Sequence, residues 1–127
     1  MSMKSHGFRS KLELGIAQQL VKHQVPFEYE EHSFEYYVNV RKYTPDFLLF
    51  PNRRRKKFFI EVKGYFTVKD RMKHLYIQKQ HPDVDIRFLF GNAQNKIRKD
   101  SKTTYAQWCD KHGFKWAEGV IPKEWLK

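Results

Sequence analysis

Two short apolar runs, Tyr43-Thr44-Pro45-Asp46-Phe47-Leu48-Leu49-Phe50 and Phe58-Phe59-Ile60-Glu61-Val62-Lys63-Gly64, each carry a carboxylate where a buried strand would take an alkyl or aromatic side chain. Burying a carboxylate without a partner costs roughly several kcal/mol, so such a group is protonated, paired or bound to a metal. Side chains two apart on a strand share a face, which sets Glu61 with Lys63 on one side and Ile60 with Val62 on the other. The connection from Pro51 to Lys57 is polar and cationic and predicts a hairpin turn, laying the second run back beside the first. Asp46 then comes near Glu61. Two oxygen donors with an adjacent ammonium form a site for a hard divalent cation and a phosphodiester.

Around this pair the pattern alternates helix and strand. Leu12, Ile16, Ala17, Leu20 and Val21 recur at helical spacing from Ser10 to about Gln24, and Pro26 stops them. Glu13, three residues after Ser10, reads on this pattern alone as a capping-box glutamate. Phe27 to His32 and then Phe34 to Arg41 alternate as strands, with no Gly or Asn-Gly turn between them. Such an extended arm either pairs with another chain or folds back as a meander. Thr67 with Asp70 marks a second helix start, with Met72, Leu75 and Tyr76 as its apolar stripe and His81-Pro82 as its end. His74 on that helix is expected at the surface or hydrogen-bonded in the core, without a catalytic role. Val84 to Phe90 forms a strand closed by Gly91-Asn92. Gln94 to Lys102 is a basic loop, and Thr103 to His112 a helix capped by Gly113, with Tyr105, Trp108 and Cys109 packing inward. Phe114 to Leu126 is expected to pack as a C-terminal lid, while residues 1–8 are expected to be loose. The fold class is α/β, a mixed central sheet flanked by helices, in one domain over residues 1–127.

Twenty-five Lys and Arg against fourteen Asp and Glu leave a formal charge of +11, which attracts polyanions. A basic surface around an acidic centre suits DNA or RNA hydrolysis, whereas a basic surface alone would serve a non-catalytic binding module. The single cysteine, Cys109, excludes an intrachain disulfide, and no apolar run approaches the roughly 20 residues that span a bilayer. A cytoplasmic location with no membrane partner is expected.

The spelling Pro45-Asp46, fourteen residues, Glu61-Val62-Lys63 resembles the Pro-Asp…(Asp/Glu)-x-Lys nuclease superfamily. Phe8-Arg9-Ser10-x-Leu12-Glu13, Phe27-Glu28-Tyr29-Glu30-Glu31, Asp70-Arg71-x-Lys73-His74-Leu75, Gln80-His81-Pro82 with Asp85-Ile86-Arg87, and Ile121-Pro122-x-Glu124-Trp125 follow in the same order. Together they resemble the endonuclease I family of T-odd bacteriophages, which are Holliday-junction resolvases, from Phe8 to the C-terminus. The resemblance implies a restriction-endonuclease-like core and a homodimer swapped through a bridging strand at 33–43. It implies catalysis by Glu13, Asp46, Glu61 and Lys63, with Glu13 supplied to the partner's site. One or two Mg²⁺ ions, with Mn²⁺ as a substitute, would be held by Asp46, Glu61, the Val62 carbonyl and Glu13, with no small-molecule cofactor. Lys63 would orient or deprotonate water, neutralise charge, or only pair with Glu61. Branched DNA is the implied substrate, cut in a bacterial host cell, with ordinary duplex as the alternative. The expected DNA contacts are Arg9, Arg53, Arg54, Arg55, Lys56, Lys69, Arg71, Lys73, Lys96, Arg98 and Lys99.

Overall fold

The computed structural model describes residues 7–36, 40–51 and 56–127. Helix α1 (Lys11–Lys22) starts where the Ser10 hydroxyl accepts the Glu13 N–H at 3.0 Å, and its buried face is Glu13, Ile16, Ala17 and Leu20. Strand β1 (Phe27–Tyr29) pairs antiparallel with β4 (Phe47–Leu49), and β4 in turn with β5 (Phe58–Lys63). Strands β6 (Ile86–Phe90) and β7 (Trp116–Glu118) continue the sheet in parallel, giving the order β1-β4-β5-β6-β7. The sheet is therefore mixed, as the alternation of helix and strand predicts. The stretch expected only as a C-terminal lid supplies its edge strand, β7, before the short helix α4 (Lys123–Leu126).

Strand parity assigns the two faces. Phe47, Leu49, Phe58, Ile60 and Leu89 pack with Ile16, Ala17 and Leu20 of α1 and with Ile121. On the opposite face, Leu48, Phe59 and Ile86 meet Ile77 of α2 (Val68–Gln80). There too Phe66, Phe88 and Phe90 meet Tyr105, Trp108 and Cys109 of α3 (Tyr105–His112). Each fully buried ring or branched side chain here contributes roughly 1.5–3 kcal/mol of transfer free energy. Helices α2 and α3 both begin with reciprocal capping boxes, Thr67 with Asp70 and Thr104 with Gln107, and α3 ends at Gly113 in the left-handed conformation (φ 79°).

Three expectations are corrected. Helix α2 buries Arg71, His74 and Ile77, while Met72 and Tyr76 are exposed, because its inner face lies against aromatic rings and loop carbonyls that accept polar side chains. His74 is fully buried among Tyr43, Phe88 and Phe114, and neither ring nitrogen has a hydrogen-bond partner among the described residues. Phe8 is not loose: its ring stands edge-on to Tyr29 at 4.4 Å and stacks near Phe47, where α1 meets the sheet. Within the chain, the arm folds back as a meander, β2 (Phe34–Tyr36) pairing antiparallel with β3 (Arg41–Tyr43). Residues 37–39 lie outside the described residues, as do Arg53, Arg54 and Arg55. Among the described residues no helix is long and apolar enough to cross a membrane.

Candidate active site

The β4–β5 hairpin builds the centre. Phe47 stands opposite Ile60, so Asp46, one residue earlier, falls opposite Glu61. One Asp46 carboxylate oxygen, Oδ2, accepts the Val62 N–H at 2.8 Å, which fixes the side chain against the end of β5. Glu61 and Lys63 project to the α2 face as strand parity requires, with Lys63 Nζ 3.3 Å from Glu61 Oε2 and 3.3 Å from Asp70 Oδ1. The Tyr43 hydroxyl donates to Glu61 Oε1 at 2.7 Å, a bond wholly enclosed in protein.

On the α1 side a second set of oxygens converges. Glu13, Glu30 and Asp46 each offer one carboxylate oxygen, and the three lie within 4.8 Å of one another. Glu13 faces this group rather than its own helix terminus: its Oε1 accepts the Tyr29 hydroxyl at 3.1 Å, so the capping-box alternative does not hold. Glu30 is brought in by its backbone. It leaves β1 with φ 54°, in the left-handed region, and its N–H is tied to the Asp46 carbonyl at 2.9 Å. Glu61, held by Tyr43 and Lys63, is not one of this trio but faces Asp46 from β5 and acts on it through its charge. A set of hard carboxylate oxygens at this spacing fits Mg²⁺ or Mn²⁺. A cleft of about 290 Å³, lined by Arg9, Ser10, Leu12, Glu13, Val62 and Gly64, opens beside it.

Burial, the Glu61 charge and the hydrogen bond with Glu13 together push the Asp46 carboxyl up to about 8. Burial also raises Glu61, opposed by Lys63 and Tyr43. Burial works against the Lys63 ammonium, but the charges of Glu61 and Asp70 outweigh it and hold its pKa above the ordinary lysine value. Burial makes these carboxylates costly to ionise, and Arg9 beside Asp46 and Lys63 beside Glu61 are the cations that oppose that cost in the protein as it stands.

The predicted polyanion contacts divide by position. Lys56, Lys69, Lys96, Arg98 and Lys99 are exposed, Arg98 pairing with Asp100 at 3.3 Å. Lys73 is half-buried over the Tyr43 ring and near Asp70. Arg71 is buried and donates to the carbonyls of Phe66 and Ile97, so it braces the loop after β6 instead of facing solvent. Arg9 lies on the carboxylates, 2.9 Å from Asp46 and 3.0 Å from Glu30. Glu30, Tyr29 and Tyr43 were not anticipated. Strand alternation turns Glu30 away from Tyr29, and only the left-handed turn brings both to Glu13.

The phage endonuclease I family matches residues 1–127. The chain is 44% identical to Endonuclease I of Escherichia phage T7 over 126 residues, covering 98% of this chain and 81% of that relative. It is 41% identical over 126 residues to Endodeoxyribonuclease 1 of Enterobacteria phage T3, covering 98% and 80%. Among solved structures, the crystal structure of AF1548, a protein of unknown function, is similar with a TM-score of 0.53 at 15% identity, covering 87% of this chain and 58% of that one. That is a likeness of fold alone. The residues that set Asp46 opposite Glu61 and Lys63 thus lie in a chain matched along its whole length, and the protein belongs to the phage endonuclease I family.

Proposed function

We propose that the protein is a structure-selective endodeoxyribonuclease of the host cytoplasm that resolves four-way DNA junctions by paired, Mg²⁺-dependent hydrolysis of phosphodiesters. The observation that carries this reading is the placement of Asp46 opposite Glu61 and Lys63, with Glu13 converging on the same carboxylate. Asp46, Glu13 and Glu61, with the Val62 carbonyl, would hold one or two ions, Mn²⁺ serving in place of Mg²⁺. When bound, the metal supplies Lewis-acid activation of water and neutralises charge on the phosphate. Lys63, kept protonated by Glu61 and Asp70, favours stabilisation of the pentavalent charge or proton donation over proton abstraction at neutral pH. Tyr43 holds Glu61 in place, and the Val62 N–H holds Asp46.

A four-way junction presents two symmetry-related strands, and a two-fold dimer presents two equivalent sites. In this proposal the sheet is a restriction-endonuclease-like core, and the β2–β3 arm opens into a bridging strand. Glu13, which reaches Asp46 within one chain here, would then reach the partner's Asp46. Recognition would rest on backbone and shape, through Lys56, Lys69, Lys73, Lys96, Arg98, Lys99 and the cations of the β4–β5 turn.

The test is incubation with Mg²⁺ of an end-labelled four-way junction, beside a linear duplex of the same sequence and a Glu61→Gln control. Symmetric nicks in the junction, lost in the control and sparse in the duplex, are expected. Equal cutting of the duplex would instead identify a general nuclease of the same superfamily, and tight binding without metal-dependent cutting a DNA-binding module.

A further inference from the structure

Arg9 occupies the position a metal ion needs. Its guanidinium lies 2.9 Å from Asp46 Oδ1, 3.0 Å from Glu30 Oε1 and 3.8 Å from Glu13 Oε2, touching each of the three carboxylates that converge. Asp46 has two oxygens, and the other, Oδ2, already accepts the Val62 N–H. The oxygen not already tied to the backbone, Oδ1, is the one Arg9 holds. A divalent ion bonded to that oxygen at about 2.1 Å would stand roughly 4–5 Å from a guanidinium still hydrogen-bonded to it, and the repulsion of the two cations and their competition for the same lone pairs favour the departure of Arg9.

The side chain is built to leave while its backbone stays. Phe8 is packed against Tyr29 and Phe47, and the Arg9 N–H donates to the Tyr29 hydroxyl at 3.2 Å, so the residue is anchored at the entrance to α1. The Arg9 side chain itself is 68% exposed, whereas Asp46 and Glu13 beneath it are 1% and 5% exposed. It therefore covers the carboxylates from the solvent side, at the rim of the cleft formed with Val62 and Gly64. A guanidinium with five donors suits a phosphate as well as it suits two carboxylates.

We propose that Arg9 is an internal counter-cation: it neutralises the empty carboxylate group, is displaced when a divalent metal binds, and is then handed over to a DNA phosphate beside the cleft. Metal loading and phosphate capture are thereby coupled, each favouring the other by the same factor. The inference rests on the metal-dependent nuclease reading above and adds to it a positioning residue that changes partner during loading.

The experiment measures Mn²⁺ binding to the full-length protein by calorimetry at low salt without DNA, for the wild type, Arg9→Met and Arg9→Lys. Arg9→Met is expected to bind Mn²⁺ roughly three- to tenfold more tightly, and Arg9→Lys within about twofold of the wild type, since an exposed ion pair of this kind is modest in strength. Junction affinity is then measured with Ca²⁺, which activates water poorly, and again in a metal chelator. Arg9→Met should lose affinity in Ca²⁺ and keep it in chelator. Equal or weaker Mn²⁺ binding by Arg9→Met would overturn the proposal, as would equal losses of DNA affinity in both buffers. A wild type that binds no divalent cation at all would instead remove the nuclease reading itself. Thermal melting of each variant separates these outcomes from misfolding.

Discussion

His74 shows how one buried side chain can set an acid limit on the whole fold. Burial, reinforced by the nearby charges of Lys73 and Lys63, pushes its pKa down to about 3 from the ordinary 6.5. Tyr43, Phe88 and Phe114 surround the ring, and the charge of Asp70 opposes the shift. Because the folded imidazole stays neutral while the unfolded one takes up a proton, the contribution to stability is complete above about pH 6.5. It is lost as pH falls toward about 3. His74→Phe, which fills the same ring-lined space, should remove this term. In urea unfolding the variant should match or exceed the wild type near pH 7 and gain on it by roughly 2 kcal/mol at about pH 4.5; an unchanged difference between the two pH values would sink the account. The position also marks a limit of sequence reading. Asp46, Glu61 and Lys63 are legible because strand parity and hairpin register depend on neighbouring residues alone. Whether His74 or Arg71 faces solvent depends on what packs over α2 from elsewhere in the chain, and a cationic helix pattern is silent about that.

Elements differ in how firmly their own residues specify them. Helices α2 and α3 carry both capping boxes in their sequences, and β4 and β5 carry the apolar runs that bury both faces. The β2–β3 arm carries no turn signal, and its geometry shows the consequence. Val40, a β-branched residue just before β3, has φ 23°, in the region that side chains rarely adopt, and is 64% exposed. Folding back within one chain thus holds Val40 under backbone strain of order 1–3 kcal/mol, with no burial to offset it. Extending the arm toward a second protomer would release that strain. If the functional protein is a swapped dimer, Val40→Gly relaxes the folded-back form and should shift the equilibrium toward monomer, raising the dimer dissociation constant at least several-fold. Light scattering over a dilution series measures it, and an unchanged or tighter dimer would show that strain at Val40 does not bear on the exchange.

Across the whole molecule, a formal charge of +11 surrounds a centre of three buried carboxylates and the half-buried Glu30, so a polyanion is drawn to the surface while Arg9 and Lys63 offset part of the negative charge at the site. Between the β2–β3 arm and α2 runs a groove of about 540 Å³ lined by Arg41, Lys42, Lys69, Lys73, Tyr36 and Tyr76. It includes Asp70, which pairs with Lys63, so it leads to the proposed catalytic lysine. The α2 wall of this groove, with Lys69 and Lys73, belongs to the core helix and stays when the arm opens as proposed, so a DNA strand following it would meet these cations before the proposed metal site. Lys69 supports that use on energetic grounds. It sits in the first turn of α2, where the helix dipole disfavours a positive charge, and it is exposed, so its charge does not favour the helix. Lys69→Ala should therefore leave the melting temperature unchanged or slightly higher. It should weaken junction binding uniformly across sequences and reduce the slope of log affinity against log salt by about one. Arg71→Met is the internal control two residues away. It removes the donor to the Phe66 and Ile97 carbonyls, so it should lower stability by about 1–3 kcal/mol while leaving the salt slope as it was. A full salt slope in Lys69→Ala together with a reduced one in Arg71→Met would place the DNA path elsewhere on the surface.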